Sequence, residues 1–232
     1  MASSLTGVFL APRRESDAEF TERRSRFIGS ARIVTSAEEA AEKIKEFPDL
    51  FPKANHHCWA YRIGTGTVLE HCSDAGEPSG TAGRPILGAI KRHGLTNTLI
   101  VVTRYFGGVK LGVRGLIEAY GRAAELAAVE AGIVEMEFCN ALSLRCGYSY
   151  SKTLMTTLRK WGFTDEHISA EYAADVGVHL EVPQSMRAKM EPLLLEMSQR
   201  SFLTKLKWDD TPLVRERWMH DGAPATASHS KK

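Results

Sequence analysis

Apolar and polar residues alternate along "SRFIGSARIV", with Phe27, Gly29, Ala31 and Ile33 against Arg26, Ser30 and Arg32, which predicts a strand with one solvated face. The period then lengthens in "TSAEEAAEKIKEF", where Ala40, Ile44 and Phe47 form a helical stripe. Ser36 and Glu39 stand at capping-box spacing ahead of it, and Pro48 and Pro52 are expected to end it. "HHCWAYRI" and "TVLEHC" flank Gly64-Thr65-Gly66 and predict a hairpin. A tight turn would pair Ile63 with Val68, Trp59 with Cys72 and His57 with Asp74, and a one-residue slip would exchange the faces. "NTLIVVTRYF" is a continuous apolar run, hence a buried strand. "GGVKLGVRG" leads from it into a helix with Leu116, Tyr120, Ala123 and Ala127 on one face, Glu118, Arg122 and Glu125 on the other, and Gly132 as C-cap.

From Phe138 the pattern reads strand, helix, strand, strand, helix, strand, the βαββαβ order of ferredoxin-like domains. Leu154, Leu158 and Trp161 line the first of these helices. Met186, Met190, Leu193 and Met197 line the second, which Pro192 is expected to kink or restart. Periodicity fades after Thr211. The expected organisation is therefore an N-terminal domain over residues 1–137, a second domain over 138–210 and a mobile tail over 211–232.

Composition adds limits. The chain has 232 residues, 43% hydrophobic and 25% charged, with a formal net charge of +2, so attraction to nucleic acid or to an anionic membrane must come from a local patch. No run has the length of a membrane-spanning helix, and the N-terminus lacks the pattern of a secretory signal, so a cytoplasmic protein without membrane partners is expected. Cys58, Cys72, Cys139 and Cys146 are too few and too irregular for a disulfide framework, and reduced thiols are expected.

Two glycine-rich loops carry the candidate chemistry. In the second, Thr103 and Arg104 end the buried strand, Gly107, Gly108, Gly112 and Gly115 free the backbone, and Lys110 and Arg114 add charge beside a helix N-terminus, a favourable place for a phosphate or carboxylate. Neither G-x-x-x-x-G-K-[ST] nor G-x-G-x-x-G is present, and a tight turn with close helix packing accounts for the same glycines. In the first loop, "SDAGEPSGTAGRP", Asp74 and Glu77 with His57 nearby could act as acid and base, or could hydrogen-bond their own turn. His56, His57, Cys58, His71 and Cys72 include the residue types that bind zinc, but adjacent strand residues point to opposite faces, so no metal site is assigned and no cofactor is expected. Basic and aromatic residues are mixed at Arg104-Tyr105 with Lys110 and Arg114, and at Arg159-Lys160-Trp161, a composition that could bind RNA.

At these loops the chain resembles the YigZ/IMPACT family. "SDAGEPSGTAGRPIL", "VVTRYFGGVKLGVRGLIEAYGRAA" and "ANHHCWAYRIG" are similar to its signature segments, in the right order, and the resemblance is strongest over residues 20–135. It implies an α+β fold: an N-terminal domain of the ribosomal protein S5 domain 2 type, joined to a ferredoxin-like domain similar to the last domains of elongation factor G. It also implies kinship with eukaryotic regulators of translation that compete for the activator of a stress kinase. The matched positions are His57, Asp74, Glu77, Ser79, Gly80, Thr81, Gly83, Arg84, Thr103, Arg104, Gly107, Gly108, Lys110 and Gly112. Ala75 stands where the family usually has a second acid, which weakens a paired-carboxylate mechanism. Arg114 stands where it usually has glycine, which adds a cation.

The expected function is a translation-associated regulator or accessory factor. It would bind RNA, the ribosome or a translation-related protein through a surface containing Arg84, Thr103, Arg104, Gly107, Gly108, Lys110, Gly112 and Arg114, beside the loop residues Ser79, Gly80, Thr81 and Gly83. The alternative is an enzyme or sensor for a small phosphorylated or carboxylated metabolite, with His57, Asp74 and Glu77 as catalytic candidates.

Overall fold

The computed structural model describes residues 7–217. Backbone contacts divide the chain into one unit over residues 9–135 and another containing residues 136–217 of the described span.

The first unit is built on an antiparallel five-stranded sheet. Its elements, preceded by β1 (Val8–Pro12), are β2 (Ser16–Glu22), β3 (Ser25–Ile33), α1 (Ala37–Leu50), β4 (His56–Ile63), β5 (Leu69–Ser73), α2 (Gly83–Arg92), β6 (Thr98–Tyr105) and α3 (Gly112–Ala131). The sheet order is β2-β3-β6-β4-β5, so the apolar run of β6 lies at the centre, where both of its faces are covered. One face packs Phe27, Ala31, Cys58, Ala60, Ile100 and Val102 against Ile86, Ala89 and Ile90 of α2 and Leu116, Tyr120, Ala123 and Ala127 of α3. The other packs Tyr61, Ile63, Leu99 and Val101 against Ala40 and Phe47 of α1.

Several sequence expectations change here. β1 and β2 precede the first strand that the sequence pattern predicts. β2 alternates, but only Ala18 and Phe20 among its half-buried positions are apolar. α1 does not stop at Pro48. It runs to Leu50, because a proline removes one ladder bond and the next turn still closes, Phe51 N donating to Phe47 O at 2.9 Å. Ser36 Oγ accepts from Glu39 N as expected, but the Glu39 carboxylate reaches Thr35 N rather than Ser36 N. The β4–β5 register is one residue away from the tight-turn count: Ile63 faces Leu69, Ala60 faces Cys72 and Trp59 faces Ser73. The connection is the longer segment 64–68, with Gly64 at φ 97°, so an odd number of residues separates the strands. α2 follows directly on the loop that looks purely turn-like, and α3 starts at Gly112, a full turn before Leu116.

The second unit contains β7 (Ile133–Cys146), which begins just before its boundary, then α4 (Tyr148–Lys160), β8 (Ile168–Tyr172), β9 (Val176–Pro183), α5 (Gln184–Gln199), β10 (Lys205–Trp208) and β11 (Leu213–Glu216). β10 pairs with β7, β7 with β9 and β9 with β8, all antiparallel. Numbered within the βαββαβ unit, the strand order is 4-1-3-2, the split arrangement expected from the sequence. Leu154 and Leu158 of α4 and Met190, Leu194 and Met197 of α5 pack against Leu142, Leu144, Val178 and Leu180 of the sheet. Leu194 is buried where Leu193 was expected, and α5 continues through Pro192. β11 occupies part of the expected tail, pairing Leu213 with Cys139 and Glu216 with Met136; residues 218–232 of that tail lie outside the described span.

Candidate functional site

The first loop is organised by Asp74. Its Oδ1 accepts from the amides of Ala82 and Gly83 at 2.9 and 2.8 Å, and its Oδ2 from Gly80 N at 2.8 Å. Three donors around the start of α2, which has no cap of its own at Ala82, are thereby satisfied by a residue nine positions upstream. Burial opposes ionisation of Asp74, but these amides and the nearby Arg84 outweigh it and hold the carboxyl below the ordinary range. Gly83 is required for packing as well, since a Cβ there would enter the backbone of Ser73. Thr81 is buried with its hydroxyl donating to Pro78 O, Ser79 is exposed, and Arg84 projects from the first turn of α2.

Glu77 reaches the second loop. Its Oε1 accepts from Arg104 Nη1 at 2.6 Å and from the Tyr120 hydroxyl at 2.8 Å. The two charged side chains retain only 4% and 6% exposure, so Arg104 is an interior group and not the surface cation the sequence suggests. Its guanidinium carbon lies 5.4 Å from the Phe27 ring centroid and 5.3 Å from that of Phe106, and Nη2 donates to Ser25 Oγ. Nε is buried and has no partner among the described residues.

His57 does not face this pair. Its Nδ1 is 3.0 Å from Thr103 Oγ1, and burial, followed by the charge of His56, lowers its pKa. His56 comes closer: Nδ1 donates to Ala75 O at 3.0 Å, which places Nε2 toward Glu77 Oε1 at 3.9 Å. Cys58 is an inert thiol, donating to Asp74 O and pushed up to about 12 by burial. His71 stands apart, its ring 5.3 Å from that of Trp59. Among the described residues no group of three His, Cys, Asp or Glu is placed to hold a metal ion.

The loop between β6 and α3 is pinned at its start, Phe106 N donating to Asn55 Oδ1 at 2.7 Å and Gly107 N to Ser25 Oγ at 3.2 Å. A Cβ at Gly107 would overlap the backbone of Arg24, so glycine lets the β2–β3 turn lie against this loop. Gly108 and Gly112 take left-handed backbones, at φ 82° and 74°. α3 has no side-chain cap, leaving its first amides and its positive end to the surroundings. Lys110 is exposed there. Arg114, within the first turn, pairs with Glu118 at 2.8 Å. Arg23, Arg24 and Lys110 make no side-chain hydrogen bond or ion pair among the described residues.

The two loops therefore meet. Glu77 and Pro78 from the first and Arg104, Phe106, Lys110 and Val113 from the second share a cavity of about 480 Å³. Its rim is less polar than the sequence suggests, with Phe106 45% and Val113 62% exposed. Asn55, Phe106 and Tyr120 belong to the site although they are not among the matched positions named from the sequence; all three lie inside the signature segments, and each flanks or faces a matched loop residue.

A family model, the Impact N-terminal domain, matches residues 23–128. The protein called IMPACT family member YvyE of Bacillus subtilis is 36% identical over 155 residues, covering 67% of this chain and 71% of its own. This chain belongs to the IMPACT family. IMPACT family member YigZ of Escherichia coli is 30% identical over 182 residues, covering 77% of this chain and 88% of that one. A crystal structure described only as that of a hypothetical protein aligns with a TM-score of 0.59 at 27% identity, over 87% of this chain and 96% of the other. The IMPACT match spans all the residues that build the cavity, Asn55 to Leu116. Among the described residues no helix is long and apolar enough to cross a membrane.

Proposed function

We propose that this IMPACT family member is a regulator of translation that binds the ribosome through the surface formed by the β2–β3 turn, residues 106–111 and the first turn of α3. Kinship with eukaryotic regulators of translation, implied by the signature loops, supplies the context. The observation that carries the reading is a set of three unpaired cations on this surface: Arg23 lines a pocket with Leu111 and Gly115 at the start of α3, the backbone of Arg24 lies against Gly107, and Lys110 immediately precedes the uncapped helix N-terminus. Phosphate groups favour such a place, because cations and orphan amides act on the same anion. The exposed rings and methyls of Phe106 and Val113 add contacts that proteins or unstacked bases can use.

The carboxylates support binding over proton transfer. Asp74 is committed to three amides, and Glu77 to a buried guanidinium and a phenol, so each has a structural task. Co-sedimentation with purified ribosomes tests the reading. Arg23→Glu with Lys110→Glu should abolish binding at moderate salt while leaving the fold intact, and the unaltered chain should bind less as salt rises. Equal binding by chain and variant would refute this placement of the surface.

A further inference from the structure

We propose that β8 is the contact between two copies of this chain, each β8 pairing antiparallel with its counterpart about a two-fold axis at Ala170. The proposal goes beyond the ribosome reading and does not depend on it.

β8 (Ile168–Tyr172) ends its sheet. It pairs with β9 and, among the described residues, with no other strand, so the backbone groups along its far side are open to a further strand. Charges of one sign keep an edge from pairing with its own copy. β2, at the end of the other sheet, has Asp17, Glu19 and Glu22 in seven residues, and β10 has Lys205 and Lys207 in four. β8 lacks this protection: its one charged residue is Glu171, and it contains neither proline nor glycine.

Uncovered aromatic surface lies at the same edge. Tyr172 pairs with Val176 and Ile168 with Leu180, so both point to the helix-covered side of the sheet, yet Tyr172 is 67% exposed. Tyr148, 54% exposed, donates to Ala173 O at 2.8 Å and places a second ring beside the end of the strand. Aromatic side chains of this kind are enriched in protein interfaces.

The register selects a second copy as the occupant. A two-fold at Ala170 sets Tyr172 opposite Ile168 of the second copy and Ser169 opposite its Glu171. Each exposed ring gains an aliphatic neighbour, and each carboxylate a hydroxyl donor. A two-fold at Glu171 would oppose two carboxylates, and one at Ser169 would carry Tyr172 past the end of the facing strand. With Ala170 on the axis, residues of like facing are paired. The helices α4 and α5 of both copies then lie on one side of a continuous antiparallel sheet.

Sedimentation of the full chain over a range of concentrations tests the contact, beside variants at Ser169, an exposed position. The unaltered chain should dimerise reversibly. Ser169→Glu, which sets a carboxylate against Glu171 in two places, should weaken the dimer about tenfold, and Ser169→Lys should strengthen it by a similar factor. Tyr172→Ser should also weaken it. Both Ser169 variants should unfold at the same urea concentration as the unaltered chain. Ala170→Cys should give a disulfide-linked dimer on mild oxidation, since facing residues of antiparallel strands have Cα atoms about 4.5–5.5 Å apart. Glu42→Cys, on the exposed side of α1, should not. A monomer at every concentration, or no cross-link through Ala170→Cys, would overturn the proposal. So would a dimer that the two Ser169 variants shift in the same direction or leave unchanged, since the contact would then lie elsewhere.

Discussion

Arg104 donates to Glu77 at 2.6 Å from the next-to-last position of a central strand, and the carboxylate it reaches lies 27 residues earlier in a loop of glycines and prolines. Both side chains are more than nine-tenths buried, so each is the other's partner in place of water. Removing one partner leaves an uncompensated buried charge. Glu77→Ala should therefore lower unfolding free energy by ~3–5 kcal/mol, read by urea denaturation. Lys110→Glu, on the exposed loop, should change it by less than ~0.5 kcal/mol. A stable Glu77→Ala protein would mean that the pair does not hold the two loops together.

Asp74 makes a prediction of a different kind, because its three bonds cap a helix. Asp74→Ala should cost ~2 kcal/mol, the upper end of the capping range, and hydrogen exchange should accelerate first in the opening turn of α2. Uniform acceleration over the whole first unit would argue against a capping role.

The pH dependence follows from two depressed groups. The Asp74 pKa is lowered, so its contribution to stability is present above the ordinary value of 3.8 and is lost as pH falls through the lower folded value. For His57 the folded form disfavours the proton, chiefly through burial. Its penalty begins below 6.5 as the unfolded chain takes up the proton, and grows until the folded value is passed. Stability should thus fall in two stages on acidification. The His57 ring should titrate by NMR below 6.5, and a midpoint above 6.5 would contradict the packing against Thr103.

Ala75, where the family usually carries an acid, sits at φ 42°, a left-handed backbone that Asn, Asp and Gly tolerate better than alanine. Ala75→Gly should raise stability by ~0.5–1 kcal/mol, measured by thermal or urea unfolding, as relief of strain exceeds the added freedom of the unfolded chain. A loss of stability would show that the methyl group contributes contacts that outweigh the strain.

Legibility in the sequence followed the range of the interaction. β6, α3 and the split βαββαβ order are written in local periodicity, and the structure contains them. α2 was invisible to capping rules because its cap lies nine residues upstream, across a loop with no apolar run. Arg104 reads as a surface cation until Glu77 is placed against it, a non-local fact. The hairpin slipped by one residue because its connection is 64–68 and not a tight turn. The meeting of the two glycine-rich loops was expected from the matched motifs, but the apolar rim at Phe106 and Val113 was not, since exposure of an apolar residue depends on what the fold leaves uncovered.

The most direct test of the central claim is site-specific photo-crosslinking in cells from Val113, an exposed position on the first turn of α3. The account predicts crosslinks to ribosomal protein or ribosomal RNA that are lost with Arg23→Glu and Lys110→Glu, and none from a probe at Glu42 on the exposed side of α1. No ribosomal crosslink from Val113, or equal ribosomal crosslinking from both positions, would contradict it.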